Sequence, residues 1–272
     1  MTVDSPGGER TPVQLGVSKP HSARVWIYWL GGKDNYAADR DLGDQIKQMF
    51  PDIIDIARQS RQFLTRAVRY LAADVGIKQF LDVGTGLPTA DNTHEVAQRI
   101  NPWARIVYVD NDPLVLVHAR ALLNSSPEGS TDYLDADVHD PDAIVGGAQK
   151  VLDFAEPVAL MMLGILGNVV DYRQARTIVD RLVSALPPGS YLVVNDGTNV
   201  INPVARNHAT RASIEAGIPY ISRHPDEIAG YFQGLQLVEP GVVSSSQWRP
   251  DVPADAPAPA EVDVFCGMAR KP

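Results

Sequence analysis

The segment Phe80-Leu81-Asp82-Val83-Gly84-Thr85-Gly86 constrains the fold more than any other. An apolar run ends in an acid, and two glycines spaced by one residue follow at once. Glycine turns the backbone sharply and lets it approach a bound nucleotide where a Cβ would stand in the way. Gly-x-Gly alone also turns many ordinary loops, so the weight lies in its context. A helix pattern follows over Asn92–Ile100, and the next apolar run, Val107-Tyr108-Val109-Asp110-Asn111, again closes on an acid. A carboxylate at that point of a strand–turn–helix–strand unit can accept both ribose hydroxyls of an adenosine.

The same texture continues downstream. Gln79–Val83, Ile106–Asp110, Thr131–Ala136, Val158–Leu163 and Tyr191–Asn195 read as strands. Helix patterns over Asn92–Ile100, Pro113–Leu123, Pro141–Leu152 and Asp171–Leu186 fall between them. Such alternation predicts parallel strands joined by crossover helices. Asp112-Pro113 is a good helix start, an N-cap acid followed by proline at the first helical position. The C-terminal part breaks the rhythm. A helix around Pro225–Phe232 precedes strand patterns at Gln236–Val243 and Val262–Met268, which predict an antiparallel hairpin on the sheet edge. The connecting stretch Ser244–Pro259 holds four prolines and is expected to be exposed and mobile.

Before the sheet, residues 1–20 read as a flexible tail and residues 21–76 as a helical extension. In the extension, Ser22–Leu30 is rich in aromatics and turns at Gly31-Gly32, and Asp34–Met49 looks helical. Ile53, Ala57, Leu64, Val68 and Leu71 form the buried stripe of a further helix, which Gly76 stops. The domain that carries the glycine motif spans 77–272.

With 24 Lys and Arg against 33 Asp and Glu, the net charge is −9, and no basic cluster stands out. Phosphate-neutralising proteins usually show one, so nucleic acid is disfavoured and a small-molecule partner is expected. The apolar run Pro157–Val170 is too short to span a bilayer. The single Cys266 excludes an intrachain disulfide and fits a reducing, cytoplasmic setting.

The acids discriminate between cofactors. A dinucleotide needs a helix N-terminus aimed at its pyrophosphate and usually a third glycine. Here Pro88 and Thr89 occupy that region, and a carboxylate at Asp82 would repel a pyrophosphate. Asp82 suits a cationic ligand such as the ammonium of a methionine moiety, and Asp137, after the third strand, suits an adenine amino group. Three acids at successive strand ends make a site for a positively charged adenosine derivative.

The order Asp-x-Gly-x-Gly, an acid after the second strand and Asp-Val after the third is similar to class I methyltransferases. Leu30-Gly31-Gly32-Lys33-Asp34-Asn35-Tyr36-Ala37-Ala38-Asp39, with Phe80–Pro88 and Val107–Pro113, resembles an actinobacterial family of S-adenosyl methyltransferases from about Ala23 to about Met268. The resemblance implies a Rossmann-like α/β sheet, S-adenosylmethionine as cofactor, and an unidentified acceptor. Family members often carry a histidine where this chain has Gly167.

The expected cofactor contacts are Asp82, Gly84, Thr85, Gly86, Asp110, Asn111, Asp137, Val138, Gly164 and Ile165. Strand-end acids also cap helices, so each of the three has a purely structural alternative. The turn at Lys33, Asn35 and Tyr36 is either scaffold or a lid closing over the ligands, and Trp26 and Trp29 read as packing. Methyl transfer from a sulfonium needs mainly positioning and desolvation. If the acceptor is a hydroxyl or an ammonium it also needs a base, for which Asn168, Tyr36 and His208 are the candidates. The six histidines show no metal-ligand spacing, and His94 and His118 are expected at the surface. An NAD(P)-dependent oxidoreductase and a non-catalytic S-adenosylmethionine-binding module are the alternatives.

Overall fold

The computed structural model describes residues 17–115, 117, 125–253 and 257–272. Residues 1–16 of the tail expected over 1–20, most of the helix expected over Pro113–Leu123, and His118 lie outside the described residues. Three helices open the chain: α1 (Ser22–Trp29), α2 (Ala37–Met49) and α3 (Ile53–Arg69). A π-helical turn extends α3 to Val75, and Gly76, at φ 84°, ends it as its stop signal predicts. The sheet then begins with β1 (Gln79–Val83), α4 (Thr93–Ile100), β2 (Arg105–Asp110) and β3 (Ser130–Asp135). It continues through α5 (Pro141–Ala148), β4 (Ala159–Leu163), α6 (Tyr172–Ala185) and β5 (Tyr191–Gly197). Two more helices, α7 (Pro203–Glu215) and α8 (Pro225–Gly230), precede the short strands β6 (Gln236–Leu237) and β7 (Val243–Ser244) and the long β8 (Val264–Arg270).

The strand order is β3-β2-β1-β4-β5-β8-β6, with β7 also pairing to β8. The first five strands are mutually parallel, and β8 runs antiparallel to β5. This is the Rossmann-like sheet the alternation predicts, and the antiparallel addition is present. The strand expected over Gln236–Val243 is broken into β6 and β7, with Gly241 N turned back to Val238 O at 2.9 Å. Pro240 has no N–H to offer a ladder at that point.

β1, β2, β4 and β5 are buried along nearly their whole length because both faces are covered, whereas the edge strand β3, Ser-Thr-Asp-Tyr-Leu-Asp, is only half-buried. Leu81, Val107, Leu160 and Leu192 face one core beside α5 and α6. Their neighbours Phe80, Ile106, Ala159 and Val193 face a second core beside α3 and α4. A third apolar cluster joins α1, α2, the start of α3 and α7 through Val25, Ile46, Phe50, Ile53 and Ala209.

Two expectations are corrected. The stretch after Ser244 is not an exposed loop at its start: Ser244, Ser245, Ser246 and Trp248 are all buried. The Trp248 ring stands edge-on to Phe63 at 5.3 Å, and Arg66 holds the segment through Trp248 O at 2.9 Å and Ser245 O at 2.6 Å. Residues 254–256 lie outside the described residues. His94 is not at the surface either, since α4 turns it inward and its Nδ1 lies 2.9 Å from Tyr108 Oη. Removing a fully buried tryptophan costs about 3–5 kcal/mol. Trp248→Ala is therefore expected to lower the unfolding free energy by that amount in a denaturant titration, whereas a mobile loop would give no change.

Candidate functional site

β1 and β4 are neighbours, but the chain leaves β1 toward β2 and leaves β4 toward β5 on the other side. The diverging exits open a crevice beyond the carboxyl ends of the strands. A cavity of about 310 Å³ occupies it.

Its floor is the two glycine turns. Gly84 has φ 76°, its N–H donates to Val109 O at 2.8 Å, and a Cβ would sit 2.5 Å from the Ile165 side chain. Gly164 has φ 75°, its N–H donates to Asn195 O at 2.7 Å, and the space where a Cβ would go is open. Only glycine takes both turns without strain. Thr85, Gly86, Asn111, Val138, Ile165 and Asn168 also line the cavity.

Asp110, the last residue of β2, stands at the rim. Its two oxygens accept from Gly86 N at 2.8 Å and Asp112 N at 3.0 Å. Burial raises its pKa, and those two amides hold the rise down. Asp137 follows β3. It accepts from His139 N at 2.9 Å and from Asn111 Nδ2 at 2.9 Å, and lies 2.7 Å from His139 Nδ1. The pull of partial burial is outweighed there by those hydrogen bonds, so its pKa stays low.

Asp82 is not part of the lining. It points below the turn, where Thr93 Oγ1 donates to it at 2.7 Å, and it is 4% exposed. It tethers the first turn of α4 to β1. Burial pushes its pKa up to about 6, against the Thr93 hydrogen bond and the Arg61 charge.

The roof is α1, whose His21, Ala23, Trp26 and Trp29 face the cavity. The two tryptophans, read from sequence as packing, therefore both pack and line: their rings meet edge-on at 6.0 Å. Asp39 holds this helix in place. Fully buried, it accepts from His21 N at 2.9 Å and Tyr36 N at 2.8 Å and pairs with Arg24 Nε at 3.4 Å. His21 Nδ1 lies 3.0 Å from Asp112 Oδ2. Lys33, Asn35 and Tyr36 lie outside the cavity lining. Lys33 is exposed, Asn35 spends its amide on Gly32 O at 2.9 Å, and Tyr36 packs beside Leu87 and Leu114. His208 is exposed and also outside the lining, so of the three candidate bases only Asn168 faces the cavity.

The β5 side of the cavity was not legible in the sequence. There α7 contributes Arg206, and Tyr220 follows it. Tyr220 Oη donates to the fully buried Asp196 at 2.5 Å, and Gly197 N donates to the same carboxyl at 3.1 Å. Burial pushes Asp196 up to about 6, against the Tyr220 hydrogen bond and the Arg223 charge. A side chain at Gly167 would put its Cβ 2.5 Å from the Tyr220 ring, so the ring fills the space a larger residue would need. The one signal for α7 is Asn202-Pro203, a helix start of the same kind as Asp112-Pro113. Among the described residues, no group of three or more His, Cys, Asp or Glu is placed to hold a metal ion.

Asp82 yields a pH test. Its folded pKa near 6 exceeds the unfolded value of about 3.9, so its contribution to stability is complete below pH 4 and is lost as pH rises through 6. The Asn substitution keeps the acceptor for Thr93 and removes the titration. Asp82→Asn is expected to gain on the parent by roughly 3 kcal/mol between pH 4 and pH 8, read by denaturation at each pH.

Comparison with known proteins places this geometry. A crystal structure of a DUF574 family protein from Streptomyces avermitilis is 41% identical, covers 95% of this chain and 100% of its own, and superposes with a TM-score of 0.91. A crystal structure from Thermobifida fusca is 42% identical, with coverage of 97% and 99% and a TM-score of 0.87. An O-methyltransferase family protein from Burkholderia thailandensis, 14% identical over 77% of this chain and 55% of its own, shares the fold at a TM-score of 0.52. No curated protein matches the chain. The family model described as S-adenosyl methyltransferase matches residues 8–272, and the chain belongs to that family as a methyltransferase that uses S-adenosylmethionine.

Proposed function

We propose that this methyltransferase acts on a small molecule in the cytoplasm, and that residues 21–76 serve as the cover of its active site. The carrying observation is that one roofed cavity has Asp110 and Asp137 toward one side of the sheet and Arg206 and Tyr220 toward the other. The cavity walls are largely apolar and aromatic, as small-molecule sites are, and the net charge of −9 offers no counterpart to a polyanion. Among the described residues no helix is long and apolar enough to cross a membrane.

The residues present fit the cofactor. The open space above Gly164, and above Gly86 where only Ala23 comes within 4.0 Å, leaves room against the backbone turns. Asp110 would hold the ribose hydroxyls, Asn111, Asp137 and Val138 the adenine, and Gly84, Thr85, Gly86, Gly164 and Ile165 the methionine portion. When bound, S-adenosylmethionine supplies a methyl group made transferable by its sulfonium. The protein's own task is then to orient the acceptor and to exclude water, which α1 does from above. Asp82 acts one step removed, by fixing α4 behind the glycine turn.

Two measurements test this reading. Hydrogen bonds to a charged group contribute roughly 1.5–3 kcal/mol each, part of which water recovers, so Asp110→Ala is expected to weaken S-adenosylhomocysteine binding by about 5- to 150-fold in calorimetry. An unchanged dissociation constant in the folded variant would leave Asp110 as a cap alone. For the acceptor, the protein is incubated with methyl-labelled S-adenosylmethionine and a cell extract divided by dialysis. Label is expected in the dialysable fraction, and label confined to retained protein or nucleic acid would overturn the small-molecule assignment.

A further inference from the structure

Arg206 is the least ordinary charge in the molecule. It is 6% exposed, yet no acid among the described residues lies within ion-pair distance of it. Among the described residues its one side-chain hydrogen bond runs from Nε to Ser222 Oγ at 2.9 Å. The guanidinium carbon lies 5.5 Å from the centroids of both Phe50 and Tyr220, so two rings hold the group in place. Gly197 makes room for it, because a Cβ there would overlap Nη2. The two terminal nitrogens have no hydrogen-bond partner among the described residues, and Arg206 is part of the cavity lining.

The two nearest acids make their hydrogen bonds to other groups. Asp263 accepts from Thr198 Oγ1 at 3.0 Å, Ile201 N at 2.9 Å and Asn202 N at 2.7 Å. Asp196 accepts from Tyr220 and Gly197 on Oδ1, while its buried Oδ2 has no hydrogen-bond partner among the described residues and forms no ion pair with Arg206. Arg223, the neighbouring buried cation, turns its two terminal nitrogens to the carbonyls of Val169 and Val170. A buried guanidinium is ordinarily paired, since an unpaired charge in a low-dielectric site is costly. A guanidinium also presents a planar fork of donors matched to a carboxylate. Around it the cavity offers Trp26, Trp29, Ile53, Ala209 and Val264, an apolar and partly aromatic wall.

We infer that the methyl acceptor is a small hydrophobic carboxylic acid, its carboxylate held by the terminal nitrogens of Arg206 and its apolar body by the wall beneath α1. This rests on the small-molecule reading above and narrows it. A carboxylate could also come from the methionine end of the cofactor, and the sheet argues against that source. Asp110 and Asn195 stand at the same height, three strands apart, or roughly 14 Å at normal strand spacing. Gly197 and Arg206 lie beyond Asn195, on the side away from the adenosine acids. The methionine portion falls to the turns after β1 and β4, in between.

The test uses the full chain saturated with S-adenosylhomocysteine, so that the cofactor half is filled. Phenylacetate, 4-hydroxybenzoate, indole-3-acetate and octanoate are titrated beside their primary amides. At least one carboxylate is expected to bind while its amide does not. Arg206→Gln is expected to weaken that binding by roughly 10- to 150-fold while leaving S-adenosylhomocysteine affinity within twofold. If the Gln variant does not fold, Arg206→Lys carries the comparison, with a smaller loss because one ammonium cannot reproduce the fork. The parent's preference for acid over amide needs no variant. Equal binding of acids and amides, or no binding of any acid, would overturn the inference. So would a tenfold loss of S-adenosylhomocysteine affinity in the variant, which would give the guanidinium to the cofactor. Failure of the parent to bind S-adenosylhomocysteine would instead defeat the methyltransferase reading on which this depends.

Discussion

The site depends on a reversal of direction in the sheet. β1 and β4 lie side by side, and the chain departs from them to opposite sides. No connection then covers the gap between their carboxyl ends, and the two turns there are forced into positive φ at Gly84 and Gly164. Each turn is locked by a hydrogen bond from its glycine N–H to the end of the adjacent strand, Val109 O for one and Asn195 O for the other. The crevice is a topological necessity, and the glycines let the backbone form its floor.

What the sheet leaves open, the helices before it close. A single buried carboxylate, Asp39, gathers the amides of His21 and Tyr36 and the Arg24 guanidinium, and so fixes where α1 starts and where α2 starts. The motif that contains it therefore shapes the cavity indirectly. Asn35 and Asp39 are consumed in building the turn, while Trp26 and Trp29 just before them line the cavity.

The parts legible in the sequence are those governed by local rules. Strand ends followed by Gly-x-Gly, the acids Asp110 and Asp137, and the stop at Gly76 each follow from backbone chemistry within a few residues. Asp82 was read by type and not by direction, since period two along β1 turns it toward α4. α1 was hidden because its aromatics face two partners, core and cavity, and show no single stripe. α7 is short of large apolar residues on its inner face, where Ala209 and Ala212 pack and Arg206 is buried. Trp248 sits among prolines and serines that read as loop, and its burial depends on Arg66, far away in the chain. Long-range pairing of that kind leaves no periodic trace.

Gly167 and Tyr220 occupy one volume between them. They come from different parts of the chain, joined by the hydrogen bond from Ile221 N to Gly167 O at 2.7 Å. A larger side chain at 167 and a ring at 220 exclude each other, so the two positions behave as one inherited character. Any lineage that exchanges them must pass through either a clash or an empty hole beside the Asp196 carboxyl. Across homologues of this fold, the two sites are therefore expected to change in concert, with the bulk handed between the turn after β4 and the connection after α7.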